Sequence, residues 1–393
     1  MTIPGDVQSS LGLCIRRWRE AKPYTRAALA TVCDITQASL SRIEHDRQVP
    51  NPQIWDRLCD KLAIPPNESV SVYVHADCRC GRLIAVADYY LHNAKPKIAR
   101  HFVVEARRMN AQQYEGRYNG ELYRVRGRLA LATHRYDSAC HYFWRWMDAV
   151  KPKGSRQNIA RSYFDYGLAL SRVGKPLNAI RYLLRAGEVF RDLQLAGLEA
   201  KCLWALGDLL LVMGSFQEAQ EQFVQSRALI SDPGSQQVVR LGEIMAYIGM
   251  QRDWSWVKSE LNNMQPVTPT AAPLWFYIHG VLCRLQSQWD EALYLQQESL
   301  RLKPGPALKA AALLELGVVY WHVGHVEEAK HVTIMALKVV SGNYTMTYSD
   351  SLVLRVLARR LDVPIPVVSM PNSPDWEQRL SMLQLVDFPQ PSQ

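Results

Sequence analysis

Leu11, Ile15 and Trp18 fall at i, i+4 and i+7. Residues spaced this way share one face of a helix, so they predict an amphipathic helix that ends near Lys22 and Pro23. Thr25 is placed to cap a second short helix. Its Leu29, Val32 and Cys33 point inward, and its small Ala27, Ala28 and Ala30 let another helix approach. Asp34 and Ile35 turn the chain, and Thr36 caps a third helix whose buried side is marked by Leu40 and Ile43. A fourth helix opens with Asn51 as cap and Pro52 at its first position. It carries Trp55, Leu58 and Leu62 on one side and stops at Pro65 and Pro66.

The third helix is unusual on its polar side. Opposite Leu40 and Ile43 stand Ala38, Ser41, Arg42 and His45, with Gln37 at the N-terminal tip. A solvated helix face favours Glu and Lys. A small polar face with one long basic arm suits a close-fitting groove, and Gln and Arg are the side chains that pair bidentately with adenine and guanine edges.

Beyond residue 80 a second pattern takes over: a helix with a small residue near its centre, a turn, then a helix opening with alanine. The small residues Ala87, Gly127, Gly167 and Gly207 are spaced by 40, as are the alanines Ala99, Ala139, Ala179 and Ala219. Gly242, Gly280 and Gly317, with Ala292 and Ala329, continue it at 35 to 38, giving seven units. The copy around GMQRDWSWVKSELNNM is the weakest, and the proline-rich QPVTPTAAP after it reads as a bend. After Val340 the repeat fades, and residues 348–361 predict a capping helix.

Composition adds bounds. With 48% hydrophobic and 21% charged residues in 393, the chain has ordinary globular usage. The apolar run Ala271 to Cys283 is 13 residues, too short to span a bilayer, so no membrane partner is expected. MTIPGDVQSS has no export-signal pattern, so the expected location is the cytoplasm and the eight cysteines read as reduced thiols. The net charge of +9 is uneven, with +5 in residues 67–150 and +2 in residues 1–66. SVSVYVHAD alternates like a strand, but its helical surroundings favour a helix or extended linker. His75, Cys78 and Cys80 lack a fourth ligand at structural-zinc spacing, and His322, His325 and His331 read as surface histidines. No metal or cofactor is expected. The sequence has no phosphate loop, GxSxG or HExxH, so nothing assigns a reaction and no catalytic residue is named.

The run from Leu11 to Pro65 resembles the Cro/phage-repressor (XRE) helix-turn-helix. The likeness rests on Leu29-Ala30, on Leu40, Ser41, Ile43 and Glu44, on the proline after the loop and on the closing helix. It implies that Gln37, Ala38, Ser39 and Arg42 face bases in the major groove, with Thr36 and Ser41 on the same interface. Arg26 would anchor a phosphate, and Arg47 and Gln48 would touch the backbone. Arg26 stands where the family usually has Gln or Glu, and Asp46 where it usually has Gly.

The repeats resemble the tetratricopeptide repeat in lengthened form. That template points Asp88, Arg124, Arg128, Arg161, Phe164, Trp204, Asp208, Tyr277, Arg284 and Trp321 into a concave groove. The arginines of the second and third units could grip a carboxylate, or pair with Glu121 and Asp165 instead.

The expected fold is all-α, a five-helix repressor-like helix-turn-helix domain followed by a right-handed tetratricopeptide-like solenoid. Its expected parts are the domain at 1–67, a linker at 68–79, repeats at 80–340, and a cap and tail at 341–393. This order resembles the cytoplasmic peptide-pheromone receptors of the Rgg, PlcR, NprR and PrgX group. The resemblance implies a homodimeric, quorum-sensing transcription regulator that binds a double-stranded DNA operator and a short peptide. The groove asparagines that clamp the peptide in several members are absent from the positions named above. Two alternatives stand beside it: repeats that sequester a partner protein such as a response regulator, and a scaffold that no longer binds DNA.

Overall fold

The computed structural model describes residues 11–45, 47–48, 50–63, 79–92, 95–152, 154–250, 254–264, 267–269, 271–341, 353–354 and 357–364. Among them every regular element is a helix, and none is long and apolar enough to cross a membrane. The chain divides into two compact units, residues 1–153 and 154–393. His75, Cys78, SVSVYVHAD and Asp46 lie outside the described residues, as do parts of QPVTPTAAP and of the expected capping helix.

In the first unit, α1 (Leu11–Glu20), α2 (Arg26–Val32), α3 (Gln37–Glu44) and α4 (Pro52–Leu62) are four of the five expected N-terminal helices. Residues 64–78 lie outside the description. Three of these helices start on the expected caps. Thr25 Oγ1 accepts from the Ala28 amide at 3.1 Å, Thr36 Oγ1 from Ser39 at 3.1 Å, and Asn51 Oδ1 from Ile54 at 2.8 Å. Each bond satisfies an amide that the helix itself leaves without a partner.

Ile15, Leu29, Cys33, Leu40, Ile43, Trp55, Leu58 and Leu62 are buried together in one core. Val32 corrects the sequence expectation. It is 43% exposed, because Leu29 and Cys33, four apart, take the inward line and leave it to the side. Gly12 is a feature the apolar pattern does not reveal: a Cβ there would collide with the backbone of Ile43 and Glu44, so α1 lies directly against the end of α3.

Seven helix pairs follow. The first unit holds α5 (Arg79–His92) with α6 (Pro96–Gln113) and α7 (Asn119–Ala132) with α8 (Tyr136–Val150). The second holds α9 (Arg156–Arg172) with α10 (Pro176–Asp192), α11 (Ala196–Met213) with α12 (Phe216–Ala228), and α13 (Pro233–Gly249) with α14 (Trp254–Asn263). It closes with α15 (Ala272–Leu285) beside α16 (Trp289–Arg301) and α17 (Pro306–Val323) beside α18 (Val326–Ser341). Within each unit every pair packs on the next.

The small first-helix residues work by vacancy. A Cβ on Gly127 would lie 2.5 Å from the Phe143 ring, on Gly207 2.8 Å from Phe223, and on Gly167 3.0 Å from Leu183. The residue sixteen positions on, in the second helix, therefore fills the missing side chain's space. The weak copy departs from this rule. Gly242 is covered by Phe223 of the preceding pair, 2.8 Å from where its Cβ would be. The ten-residue α14 is instead tied to α13 by Tyr247 against Trp256, at 4.2 Å between ring centroids, and by Arg240 bonded to Glu260.

Each within-pair turn that is described in full holds one left-handed residue. Gly174, Gly214 and Gly324 supply it at φ 78°, 77° and 86°, while His134 and Ser287 take it at 57° and 59° without glycine's freedom.

Candidate nucleic-acid interface

Thr36, Gln37, Ala38 and Arg42 are exposed along α3, with Ser39 and Ser41 half-buried beside them. This face is the reverse of the one that buries Leu40 and Ile43. Arg42 Nε donates to Gln48 Oε1 at 3.0 Å, which ties the helix's basic arm to the following loop and holds two predicted DNA-facing residues together. Arg47 is exposed in the same loop. Neither arginine has a carboxylate partner among the described residues.

Arg26 stands differently. Its Nε donates to Glu44 Oε2 at 2.7 Å, and Arg19 donates to the same carboxylate, with Nε at 2.5 Å from Oε1 and Nη2 at 3.1 Å from Oε2. The Glu44 side chain has no exposed surface, while that of Arg26 keeps 35%. Burial alone would raise the Glu44 pKa, but the hydrogen bonds from Arg19 and Arg26 outweigh it and hold the carboxyl below its ordinary value. Bonding to Glu44 in turn raises the pKa of Arg19. The sequence expectation of Arg26 as a phosphate anchor misses this role: its first partner is the buried carboxylate that joins α1, α2 and α3. The available signal was Glu44 itself. Four residues after Leu40 it lies on the buried side of α3, where a carboxylate must find a cation.

The predicted groove residues divide by burial. Asp88 is buried, accepts from Arg124 Nη1 at 3.0 Å and also bonds Arg128, so the structure gathers three of the ten. The partner of Arg124 and Arg128 is Asp88 of the preceding pair rather than Glu121, because Asp88 stands one repeat earlier on the adjacent first helix. The Arg124 and Arg128 side chains keep 11% and 29% exposure. Arg284 is likewise bonded to Glu315 of the next first helix, with Nη2 to Oε1 at 3.3 Å.

Tyr277 and Trp321 are buried, and Phe164 and Trp204 pack half-buried against apolar clusters. Arg161 is half-buried. Burial pushes the Asp208 carboxyl above its ordinary value while the Arg172 charge pulls it down.

Of the three late histidines, His325 and His331 are exposed, but His322 is half-buried and stacks on Trp289 at 4.6 Å, which lowers its pKa through desolvation. Cys80, the described member of the His75 fragment, is buried and points its thiol at the Ala106 carbonyl, 3.4 Å away. His279, Cys283 and Glu291, which the sequence reading did not single out, bring three metal-ligand atoms within 4.8 Å of one another. Burial pushes the Cys283 thiol up to about 11, so at neutral pH it is a proton donor rather than a thiolate.

Residues 10–69, which hold the four N-terminal helices, match a family described as a helix-turn-helix domain. No curated protein matches the chain in sequence. The chain is similar to the solved structure of NprR in complex with its cognate peptide NprX, at 12% identity over 98% of this chain and 91% of that one, with a TM-score of 0.48. It is also similar to a signal-transduction ATPase with numerous domains and a tetratricopeptide-repeat sensor from Pyrococcus horikoshii, at 14% identity over 71% of this chain and TM-score 0.48. This chain spans only 43% of that protein's length. The apo form of RapI is similar at 10% identity over 91% of this chain and 86% of that one, with TM-score 0.38.

Proposed function

We propose that the protein is a DNA-binding transcription regulator controlled through its repeats. One observation supports this reading most: within a matched helix-turn-helix domain, α3 turns Gln37, Ala38 and Arg42 outward while no described carboxylate neutralises Arg42 or Arg47. Side chains this small let the helix lie deep in a major groove, and Gln37 and Arg42 are the two able to read base edges. The working form is a homodimer on a two-fold operator, and the repeats take a short peptide or a partner protein.

Selection of bound duplexes from a random library by the full chain tests the DNA reading. The expected outcome is enrichment of a two-fold sequence whose half-sites lie about 10 base pairs apart or a multiple of that. A library that never converges contradicts it. Calorimetry with short peptides against capture of a partner protein then separates the two occupants of the repeats.

A further inference from the structure

The basic surplus of residues 67–150 has a location. Lys97, Arg100, His101, Val104, Arg107 and Arg108 are all exposed on α6, at the spacing that places them on one helical face. The opposite face buries Ala99, Phe102, Val103, Ala106, Met109 and Asn110. The only acid within the stripe is Glu105, 3.7 Å from Arg108. Lys97, Arg100 and Arg107 have no ion pair among the described residues. Between this stripe and the start of α4 lies a cleft of about 780 Å³ lined by Asn51, Gln53, Lys97, Arg100, His101, Val104 and Glu105.

We propose that the outward face of α6 binds the phosphate backbone of duplex DNA beside the sequence that α3 reads, an inference that rests on the helix-turn-helix reading. Charge and position argue for this occupant together. Asn51, on the cleft wall, follows Gln48 by three residues, a reach of at most about 11 Å. Gln48 is held to Arg42 of the recognition helix. One strand of duplex carries a phosphate every 3.4 Å of helix axis or so, and Lys97 and Arg100, which line the same cleft as Asn51, are the α6 cations best placed for phosphates flanking the base-reading contacts. Such contacts position a protein without reading sequence, so α6 adds affinity and α3 selectivity.

The test uses the full chain, fluorescence anisotropy, and two probes: a duplex enriched from the random library and a mixed-sequence duplex of 40 base pairs or so. Titrations run from about 50 to 200 mM salt. The variant Lys97→Gln/Arg100→Gln/Arg107→Gln should lower the slope of log K against log salt by about 2–3, at about 0.9 per lost phosphate contact. It should weaken both probes alike and keep the ratio between them. Arg42→Ala should collapse that ratio and change the slope by about 1 or less. Removing equal charge at Arg181, Arg185 and Lys201, exposed on the repeats, should leave the slope in place. An unchanged slope in the α6 variant, or an equal drop in the repeat variant, overturns the proposal while leaving α3 untouched. If the wild type selects no sequence, the helix-turn-helix reading fails, and the slope on the mixed duplex still decides α6: a drop upholds its phosphate contacts without their place beside a read sequence, and no change overturns them.

Discussion

Arg42 on α3 and Arg124 on the second repeat are both arginines on predicted binding faces, yet the fold treats them oppositely. Arg42 is exposed, its Nε bonds the neutral Gln48, and it meets no carboxylate among the described residues. Arg124 keeps 11% exposure and shares the buried Asp88 with Arg128. The same division separates Arg47 from Arg26, whose charge is met by Glu44. A cation's place on a helical wheel thus fixes which way it points, while the carboxylate brought to it from another helix fixes whether it remains available to a ligand. Exposed cations with no carboxylate partner among the described residues include Arg42, Arg47 and the Lys97, Arg100 and Arg107 of α6, whereas Arg124, Arg128 and Arg284 act first as struts between successive first helices.

This contrast can be broken by mutation. Glu44→Ala should destabilise the N-terminal helices by about 3–5 kcal/mol, because it leaves Arg19 and Arg26 facing each other without their shared carboxylate. Urea unfolding followed by tryptophan fluorescence reads it, and a loss under about 1 kcal/mol would remove the triad from the account. The acid limb should carry the same signature. Since the folded Glu44 pKa lies below its ordinary 4.5, the triad's contribution is complete above that value and is lost as pH falls through the folded one. Glu44→Gln should therefore flatten the wild-type loss of stability between neutral and acid pH.

In the repeats, where packing rather than charge holds the pairs, Phe223→Ala should cost a similar 3–5 kcal/mol or so, since its ring fills the space left by both Gly207 and Gly242. Arg128→Ala, at a more exposed strut, should cost about 1 kcal/mol after solvent screening. Ser287→Gly should stabilise by roughly 0.5–1 kcal/mol, because it relieves a left-handed backbone at φ 59°. Arg42→Ala should leave stability within about 0.5 kcal/mol of wild type, as expected of a side chain placed for a ligand rather than for the fold.

Much of this architecture is legible in the sequence because it repeats or is capped. The spacing of 40 from Ala87 to Gly207 marks the helix pairs, and Thr25, Thr36 and Asn51 mark three helix starts within a residue. The exposed face of α3 is legible because Leu40 and Ile43 fix its opposite. Partners brought from other helices are not. Asp88 meets Arg124 and Arg128 across 36 and 40 residues, and the wheel of either helix alone gives their direction but not that meeting. Val32 was misread for a related reason: at the last turn of a seven-residue helix, one position decides between core and solvent, and hydrophobicity alone does not choose. The α6 stripe was visible only as a charge surplus until the buried face of that helix showed which side the cations share.

The proposed reading of DNA by α3 runs through Arg42, which has no counter-charge among the described residues. Its most direct test is the affinity of wild type and Arg42→Ala for the library-enriched duplex and for mixed-sequence duplex at one fixed salt. Arg42→Ala should lose about 1–3 kcal/mol on the enriched duplex, roughly 5- to 150-fold, with little change on the mixed one. Equal affinity of wild type and Arg42→Ala for the enriched duplex would contradict it.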